Sequence, residues 1–449
     1  MRRKKLILKV TLIAVAASFL IGSFSVQGIF AQEIKRPRPV ASPFLGAKKG
    51  EVNTSSSFQA NIAGIFKMDC PKGIKLVVDA VNGPYLDIQS AIDVASDGDT
   101  IEVMSGTYDG FKVEARSCLK IGAKKSEIVI VTGSVSISTY RGTYSLTIGV
   151  VDSTNIEISH FIVQAGYTDP FSIAYFNSTG KVKHNDVGGN TGQANPGNSI
   201  AAFGFTSPGT VTIEHNYIHD YGKIGVLVNS WNPSASAYVP GGIHAEIKHN
   251  TIVGTDFAEY FRVQDGIQVT YGGSADIEHN DISGNFQTGG SEWTCDGMMC
   301  YDAHLVTTKK NKLYNNQMGI AIQKYVNDLK IGDDDIKGNE WGLYTWNWVP
   351  STIEVNKAKI KENEYGWVNW DTDGIVFDNC KLEKNIYGLY NGGYNIGSST
   401  NPTATFNNCK ITKNTDYDVL QGSSTNTLVF FKTKYDTYYN YGGGILIEN

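Results

Sequence analysis

The segments KVKHNDV (181–187), VTIEHNYI (211–218), AEIKHNTI (245–252) and ADIEHNDI (275–282) repeat one pattern of alternating apolar residues that ends in His-Asn and an apolar anchor. Two further segments, TTKKNKL (307–313) and KIGDDDI (330–336), align with them. The anchors recur at intervals of 22 to 34 residues: Val187, Ile218, Ile252, Ile282, Leu313, Ile336, Ile360, Leu382 and Ile411. Alternation with a period of two predicts short strands, and the recurrence of the same pattern along the chain predicts a repeat architecture.

Turn residues recur at fixed distances from these anchors. Three residues after an anchor the chain carries Asn190, Asn285, Asn316, Asn339, Asn363, Asn385 and Asn414. Asn tolerates left-handed backbone and bonds its own main chain, so it suits tight turns. Each repeat is therefore interpreted as one coil of a β-solenoid with about three strands, and stacked coils place the Asn side chains ~4.8 Å apart in a ladder. The sequence lacks the signature of a leucine-rich repeat, so an irregular β-sandwich is the remaining alternative.

Composition agrees with a repeat protein. The 449 residues exceed the ~250–300 at which single cores stop growing, whereas a repeat array has no such limit. Hydrophobic residues at 41% and charged residues at 18% exclude wholesale disorder. A net charge of −5 argues against a nucleic-acid partner, which favours a basic surface. We expect a monomer.

The N-terminus has the pattern of an export signal. Four basic residues at positions 2–5 precede an apolar stretch over 10–24, and Ala31 suits a cleavage site. We predict a signal peptide over 1–32, with an uncleaved anchor as the alternative, and a flexible linker over 33–66. The protein is then secreted or displayed at the cell surface, with no transmembrane span after cleavage.

The segment DIQSAIDVASDGDTIEVMSGTYDG (87–110) resembles the N-terminal cap of the pectin-lyase-like superfamily, in which an amphipathic helix closes the end of the coil stack. The resemblance implies an all-β, right-handed, single-stranded parallel β-helix. It assigns a cap and first coil to 67–115, the β-helix to 116–430 and a C-terminal tail or cap to 431–449. The superfamily hosts lyases, hydrolases, epimerases, esterases and non-catalytic proteins, so the fold does not determine the activity. We expect a protein that binds and cleaves a polysaccharide, by lyase or glycoside hydrolase chemistry; the alternative is a non-catalytic adhesin or scaffold.

Histidines and cysteines also recur in register. His184, His215, His249 and His279 each lie three residues before an anchor, and we interpret them as a structural ladder rather than a metal site. Cys380 and Cys409 lie two residues before theirs, so they either form a disulfide between adjacent coils or remain reduced. Cys70 and Cys118 are a second candidate bridge.

Two adjacent coils contain insertions directly before an Asp-Gly pair. The Gly follows its anchor by 14 residues at Gly266 and by 15 at Gly297, against six in the shorter coils, and Asp265 and Asp296 precede these glycines. Carboxylates one coil apart lie roughly 5 Å apart if both face the same way. Such a pair divides acid and base or nucleophile roles, or holds Ca²⁺. The alternative is that each Asp is a turn residue.

The Asp-Gly strand starts resemble those of polygalacturonase-type glycosidases, but that family's paired-Asp strand and its Gly-His-Gly and Arg-x-Lys elements are missing. The segment Tyr301-Asp302-Ala303-His304 resembles the Tyr/Asp/Pro/His cluster of alginate epimerases, with Ala303 in place of proline. The resemblance implies that His304 transfers a proton and that Asp302 orients it. Arg262, in the insertion before Asp265, is a candidate ligand for acidic sugars.

Aromatic residues line one predicted strand face. Counted from the repeat Gly, the outward positions carry Tyr301, Tyr344, Trp346, Trp370 and Tyr390. A row of aromatic rings exposed to water is typical of a binding surface. We expect them to bind sugar rings, unless a loop or the Tyr-rich C-terminus covers them.

Overall fold

The computed structural model describes residues 70–139, 142–166, 169–189, 197–204, 209–232, 237–255, 263–287, 294–346, 352–370, 372–392 and 402–449. The chain divides into two compact units, Met1–Pro71 and Lys72–Asn449, and the architecture below is that of the second. The predicted signal peptide and linker lie outside the described residues.

The second unit is a β-solenoid in which each coil contributes strands to three parallel stacks. The first stack contains Phe111–Glu114, Gly142–Val151, Phe171–Phe176, Asn198–Phe203, Ile224–Asn229, Asp265–Thr270, Asp296–Lys309, Met318–Gly332, Trp341–Trp346, Tyr365–Trp370, Tyr387–Gly392, Tyr417–Gln421 and Tyr438–Asn440. The strands Asp296–Lys309 and Met318–Gly332 continue into the second stack. This arrangement confirms the predicted all-β solenoid.

The second stack contains Lys75–Val78, Thr100–Val103, Lys120–Ala123, Ile156–Ser159, Gly180–Lys183, Gly209–Glu214, Ile243–Lys248, Ser274–Glu278, Thr352–Asn356, Ile375–Asp378, Thr403–Asn407, Thr427–Phe431 and Ile445–Glu448. The third contains Gly106–Asp109, Val129–Thr132, Ile162–Gln164, Asp186–Gly188, Tyr217–His219, Thr251–Val253, Asp281–Ser283, Lys312–Tyr314, Asp335–Lys337, Lys359–Lys361, Lys381–Glu383, Lys410–Thr412 and Lys434–Tyr435. The core fills the tube between the stacks. Ile218, Ile252 and Ile282 are paired in register and fully buried, as the anchor pattern predicts.

A ladder of buried side chains joins the coils between the second and third stacks. It runs through Asn185, Asn216, Asn250, Asn280, Asn311 and Asp334. The Oδ1 of Asn280 accepts from the main-chain N–H and the Nδ2 of Asn250, and its own Nδ2 donates to the carbonyl of Ile247. Each rung thus provides hydrogen bonds for main-chain groups that are buried at the turn.

The ladder predicted from the sequence lies at the corner between the third and first stacks. It runs through Asn285, Asn316, Asn339, Asn363, Asn385 and Asn414 and ends on Asp418. Asn190 lies outside the described residues. At both corners the residue before the Asn adopts a positive φ, for example +56° at His279 and +53° at Asn315. The repeated left-handed residue turns the chain, and the Asn that follows it points inward.

The left-handed residues at the corner between the second and third stacks include the predicted histidine ladder. His160 joins the four histidines of the sequence pattern, and successive rings stack with centroids 4.9 to 5.1 Å apart.

The cysteines behave differently. Cys380 and Cys409 are free thiols that occupy positions of the Asn ladder, where the main-chain N–H of Cys380 donates to the Sγ of Cys409 at 3.4 Å. Cys70 and Cys118 are disulfide-bonded.

A helix from Ile88 to Val94 packs on the first strands of the unit. The Asp87 side chain caps it by accepting from the N–H of Ser90, and the helix buries Ile88, Ala91 and Ile92. This is the amphipathic cap that the sequence predicts. No helix in the described part of the chain has the length and apolar character that a membrane span requires.

A hairpin covers part of the outer face of the first stack. The strand Val135–Thr139 pairs antiparallel with Gly142–Val151, and Ile137 is buried in a second apolar cluster with Phe171, Phe176 and Phe203. This cluster lies on the side of the first stack that faces away from the tube interior. The candidate site residues lie in later coils of the same stack.

Replacing a ladder residue tests this account. Asn280→Ala leaves the N–H of Asn250 and two side-chain groups without their partners. Because an orphaned buried group costs about 1–3 kcal/mol, we expect the free energy of unfolding to fall by about 3 kcal/mol or more. Denaturant unfolding of the variant and of the control Thr251→Ala, an exposed position one residue from the ladder, measures the difference. A change below about 1 kcal/mol for Asn280→Ala contradicts the role of the ladder.

Candidate active site

Asp265 and Asp296 are in register on adjacent coils, as the sequence predicts. Ile224, their partner in the preceding coil, belongs to the outer apolar cluster, so this column of residues faces the outer side of the first stack. The glycines that follow allow close approach of the coils, because a Cβ at Gly266 would lie 2.6 Å from the carbonyl oxygen of Gly297. Close packing of the coils therefore requires glycine at the second position of the Asp-Gly pair, whereas it does not require aspartate at the first.

Both carboxyl groups are buried, with 1% of Asp265 and none of Asp296 exposed. The expected pair of carboxylates in an open groove is thus not what the structure contains. Oδ1 of Asp265 and both carboxyl oxygens of Asp296 make no hydrogen bond of good geometry among the described residues, although the Thr294 side chain near Asp296 opposes the rise of its pKa. The turn-residue alternative requires bonds to the local main chain, and these three oxygens make none.

Burial raises the pKa of Asp265 to about 7, against the opposing effects of Lys223 and the main-chain N–H of Asp296. Burial also raises the pKa of Asp296 well above its ordinary range, and the charge of Asp265 raises it further. Lys223 is itself half-buried, and burial lowers its pKa. Two buried carboxyl groups in register on adjacent coils, with the charge of one lysine acting on Asp265, favour a state in which at least one carboxyl carries a proton.

The pair does not make a calcium site from the described residues. Ca²⁺ takes six to eight oxygen ligands, and no group of three or more His, Cys, Asp and Glu side chains among the described residues is arranged to hold a metal ion. No step is assigned to a metal here.

A second cluster lies at the corner between the first and second stacks. Asp302 and Lys324 occupy this corner in adjacent coils with positive φ of 50° and 56°, and the strand pairing shifts register beside Asp302. The Nζ of Lys324 lies 3.6 Å from Oδ2 of Asp302 and 4.5 Å from the centre of the Tyr301 ring. The cluster thus combines a phenol, a carboxylate and an ammonium group within one contact network.

Two aromatic residues extend this cluster toward earlier coils. The ring of Tyr271 lies 5.6 Å from that of Tyr301, and the ring of Trp231 lies 5.5 Å from that of Tyr271. Burial raises the pKa of Tyr271 to about 12, helped by Tyr301 and Asp302, so its hydroxyl stays protonated. Burial also raises the pKa of Asp302, whereas Lys324 opposes the rise.

His304 lies two residues after Asp302 on the same strand. Its main-chain N–H donates to the carbonyl of Gly273, and an added Cβ at Gly241 would lie 3.4 Å from the imidazole Cδ2. Burial lowers the pKa of His304, and the charge of Asp328 opposes this. The half-buried imidazole is therefore neutral at pH 7, the state in which it accepts a proton.

The outward aromatic residues divide into two groups. Tyr301, Trp346 and Trp370 share one register position and are half-buried, so part of each ring is accessible. The expected exposure is wrong for Tyr344 and Tyr390, of which 3% and 7% are exposed. Tyr344 packs beside Trp341 at 5.2 Å, and the hydroxyl of Tyr390 lies 3.1 Å from that of Tyr441, so the Tyr-rich C-terminus covers it. Arg262 lies outside the described residues.

Sequence reasoning did not identify Tyr271 and Lys324. Both occupy the corner position of Asp302 in the neighbouring coils, and both have positive φ, although neither is Gly or Asn. An alignment of the coils that includes the corner after the strand places Tyr271, Asp302 and Lys324 at one position, and this would have identified them.

A family model described as "Right handed beta helix region" matches residues 230–358. This match covers less than a third of the chain and agrees with the stacked parallel coils of the structure. A comparison with curated protein sequences finds no significant match.

Solved structures similar to the β-helix include XylC in complex with xylose, with 11% identity, a TM-score of 0.44 and coverage of 83% of this chain and 86% of that one. A periplasmic alginate epimerase has 12% identity, a TM-score of 0.46 and coverage of 78% and 77%. The pectate lyase Pel9A has 11% identity, a TM-score of 0.39 and coverage of 83% and 82%.

The buried carboxyl pair makes stability depend on pH. When the pKa of a carboxyl is higher in the folded protein than in the unfolded chain, the folded state keeps its proton at pH values where the unfolded chain has lost it. The free energy of unfolding therefore falls as pH rises between the two pKa values. For Asp265 this window extends from about 4 to about 7. We expect Asp296→Asn to flatten the decline and to raise the free energy of unfolding at pH 8 by a few kcal/mol.

Chemical unfolding at several pH values checks this expectation. The exposed Asp436→Asn is the matched control, and it should leave the pH dependence of stability unchanged. An Asp296→Asn variant that is less stable than the parent at pH 8, with the same pH dependence, would mean that Asp296 is ionised and paired in the folded protein.

Proposed function

We propose that the β-helix binds an acidic polysaccharide at the corner between the first and second stacks and cleaves it by β-elimination. The observation that supports this is the position of Lys324, whose Nζ lies 3.6 Å from Oδ2 of Asp302 and over the Tyr301 ring. The neutral His304 follows Asp302 by two residues on the neighbouring strand. A uronate sugar needs a cation beside its carboxylate, a base for the adjacent C–H and an acid for the leaving oxygen. Lys324, His304 and Tyr301 are the candidates for these roles.

The proposed step is balanced as follows. The neutral His304 imidazole removes the proton on the carbon next to the sugar carboxylate, and the electron pair of that C–H bond forms a carbon–carbon double bond. The glycosidic C–O bond at the next carbon breaks, and the leaving oxygen takes a proton from the Tyr301 hydroxyl. Lys324 offsets the charge that develops on the carboxylate, which makes the C–H more acidic. The products are one reducing end and one unsaturated end.

Trp346 and Trp370 occupy the register position of Tyr301 two and three coils further along the axis, with Gln323 in the coil between. Their half-exposed rings offer apolar faces to further sugars of a chain that runs along the axis. The pair Asp265 and Asp296 is not needed for this reaction. Both are buried groups with raised pKa values, and hydrolysis by this pair is a separate hypothesis that requires the site to open.

A panel of acidic and neutral polysaccharides, read by absorbance of unsaturated ends and by a reducing-sugar assay, tests the proposal. We expect His304→Ala and Tyr301→Phe each to lower turnover of an acidic chain by about 10²-fold or more, because each removes a proton-transfer group. Activity should rise with pH through the His304 pKa, which lies below the ordinary histidine value.

Lys324→Asn isolates the role of the cation, because Asn tolerates the left-handed backbone at this position. Its control is Lys357→Asn, since Lys357 has a similar φ of 59° at another corner. We expect Lys324→Asn alone to lose turnover. Reducing ends without unsaturated ends would instead indicate hydrolysis. Loss of activity in a chelator would assign the carboxylate-binding role to Ca²⁺, and binding without any product would favour the non-catalytic adhesin.

A further inference from the structure

The stacked histidines form a separate surface. His160, His184, His215, His249 and His279 are exposed at the corner between the second and third stacks. Their rings are stacked within 30° of parallel in each successive pair. Because the ring faces pack on one another, the ring edges, which carry the nitrogen atoms, are the parts left for solvent and ligands. The five rings span four steps of about one coil spacing each, or roughly 20 Å along the axis.

The backbone does not require histidine at this corner. Later coils carry Lys310, Asp333, Lys357, Asn379, Asn408 and Lys432 at the same position, with φ between 47° and 59°. Asn and Lys therefore satisfy the turn equally well. Histidine is the side-chain type whose charge changes between neutral and mildly acidic pH, and five histidines occupy consecutive coils at this corner.

The charged groups around the stack determine what this gain does. Six lysines flank it: Lys181, Lys183, Lys248, Lys309, Lys310 and Lys312. Seven carboxylates flank it on the second and third stacks: Glu157, Glu214, Glu246, Glu278, Asp276, Asp186 and Asp281. Two further histidines are titratable neighbours: His219 lies 2.7 Å from both Asp186 and Asp220, and His244 lies 3.2 Å from Asp276. The surface therefore has an excess of negative charge when the imidazoles are neutral, and five protonated imidazoles reverse the sign.

We propose that the histidine stack binds a linear acidic polysaccharide in mildly acidic surroundings and releases it near neutral pH. A chain with one carboxylate on each sugar presents a regular row of anions to a regular row of imidazolium edges, and each contact is a charge-assisted hydrogen bond. Burial and the neighbouring His160 and His215 charges lower the pKa of His184, so charging spreads over a range of pH. The histidine stack lies at a different corner from His304, so binding to it does not depend on the proposed cleavage reaction.

Binding to polygalacturonate at about pH 5 and about pH 8 tests the inference. We expect the parent protein to bind at least about tenfold more tightly at the lower pH, because that is where the imidazoles are charged. The double variant His215→Asn/His249→Asn should reduce this ratio to about threefold or less, and Lys357→Asn should leave it unchanged. Asn is native at this corner in two coils, so the double variant keeps the turn; melting curves verify this, and His249→Asn alone serves as a milder variant.

Three outcomes overturn the inference: equal pH dependence in the double variant, no binding at about pH 5, or equal binding of duplex DNA, which would mean that any polyanion is accepted. A neutral dextran should not bind at either pH. The His304→Ala variant should bind polygalacturonate with the parent's pH dependence. Failure of the proposed cleavage and failure of the histidine surface are therefore separately visible.

Discussion

The hydrogen bonds between a left-handed corner residue, the buried Asn that follows it and the same Asn of the next coil hold the structure together. Parallel strands alone pair coils along the flat faces, whereas the turns between faces bury main-chain groups that no strand can satisfy. At Asn280 the side chain serves two coils at once, accepting from the coil before and donating to the coil after. Where Asn is absent, Asp334 or the thiols of Cys380 and Cys409 occupy the position and keep part of the network.

The candidate site depends on this framework because its residues come from different coils. Tyr301, Asp302 and His304 lie on one strand, but Lys324 is brought to them only by the stacking of the next coil. The same stacking buries Asp265 and Asp296 side by side and makes their protonation part of the folding equilibrium. Geometry between coils, rather than proximity in sequence, gives each group its environment.

The sequence predicts the coil period, the cap helix, the second Asn ladder and the pairing of Asp265 with Asp296, because each follows from fixed spacing along the chain. It does not predict the burial of that pair or of Tyr344 and Tyr390, since burial depends on what packs over the outer face. Tyr390 is covered by Tyr441, which lies 51 residues away and follows no repeat rule. The first Asn ladder is not among the predictions, although the His-Asn pair recurs at the same position in four coils.

The coils differ in length by as much as a dozen residues, from 22 to 34, yet the rungs remain in register. The strands on either side of the extra residues keep the same hydrogen-bonded register as those of the shorter coils. In such a scaffold the stacked strands stay continuous, whereas the segments between them are the parts that can contact ligands. Segments inserted at a corner can thus change what the surface binds without altering the register of the stacked coils.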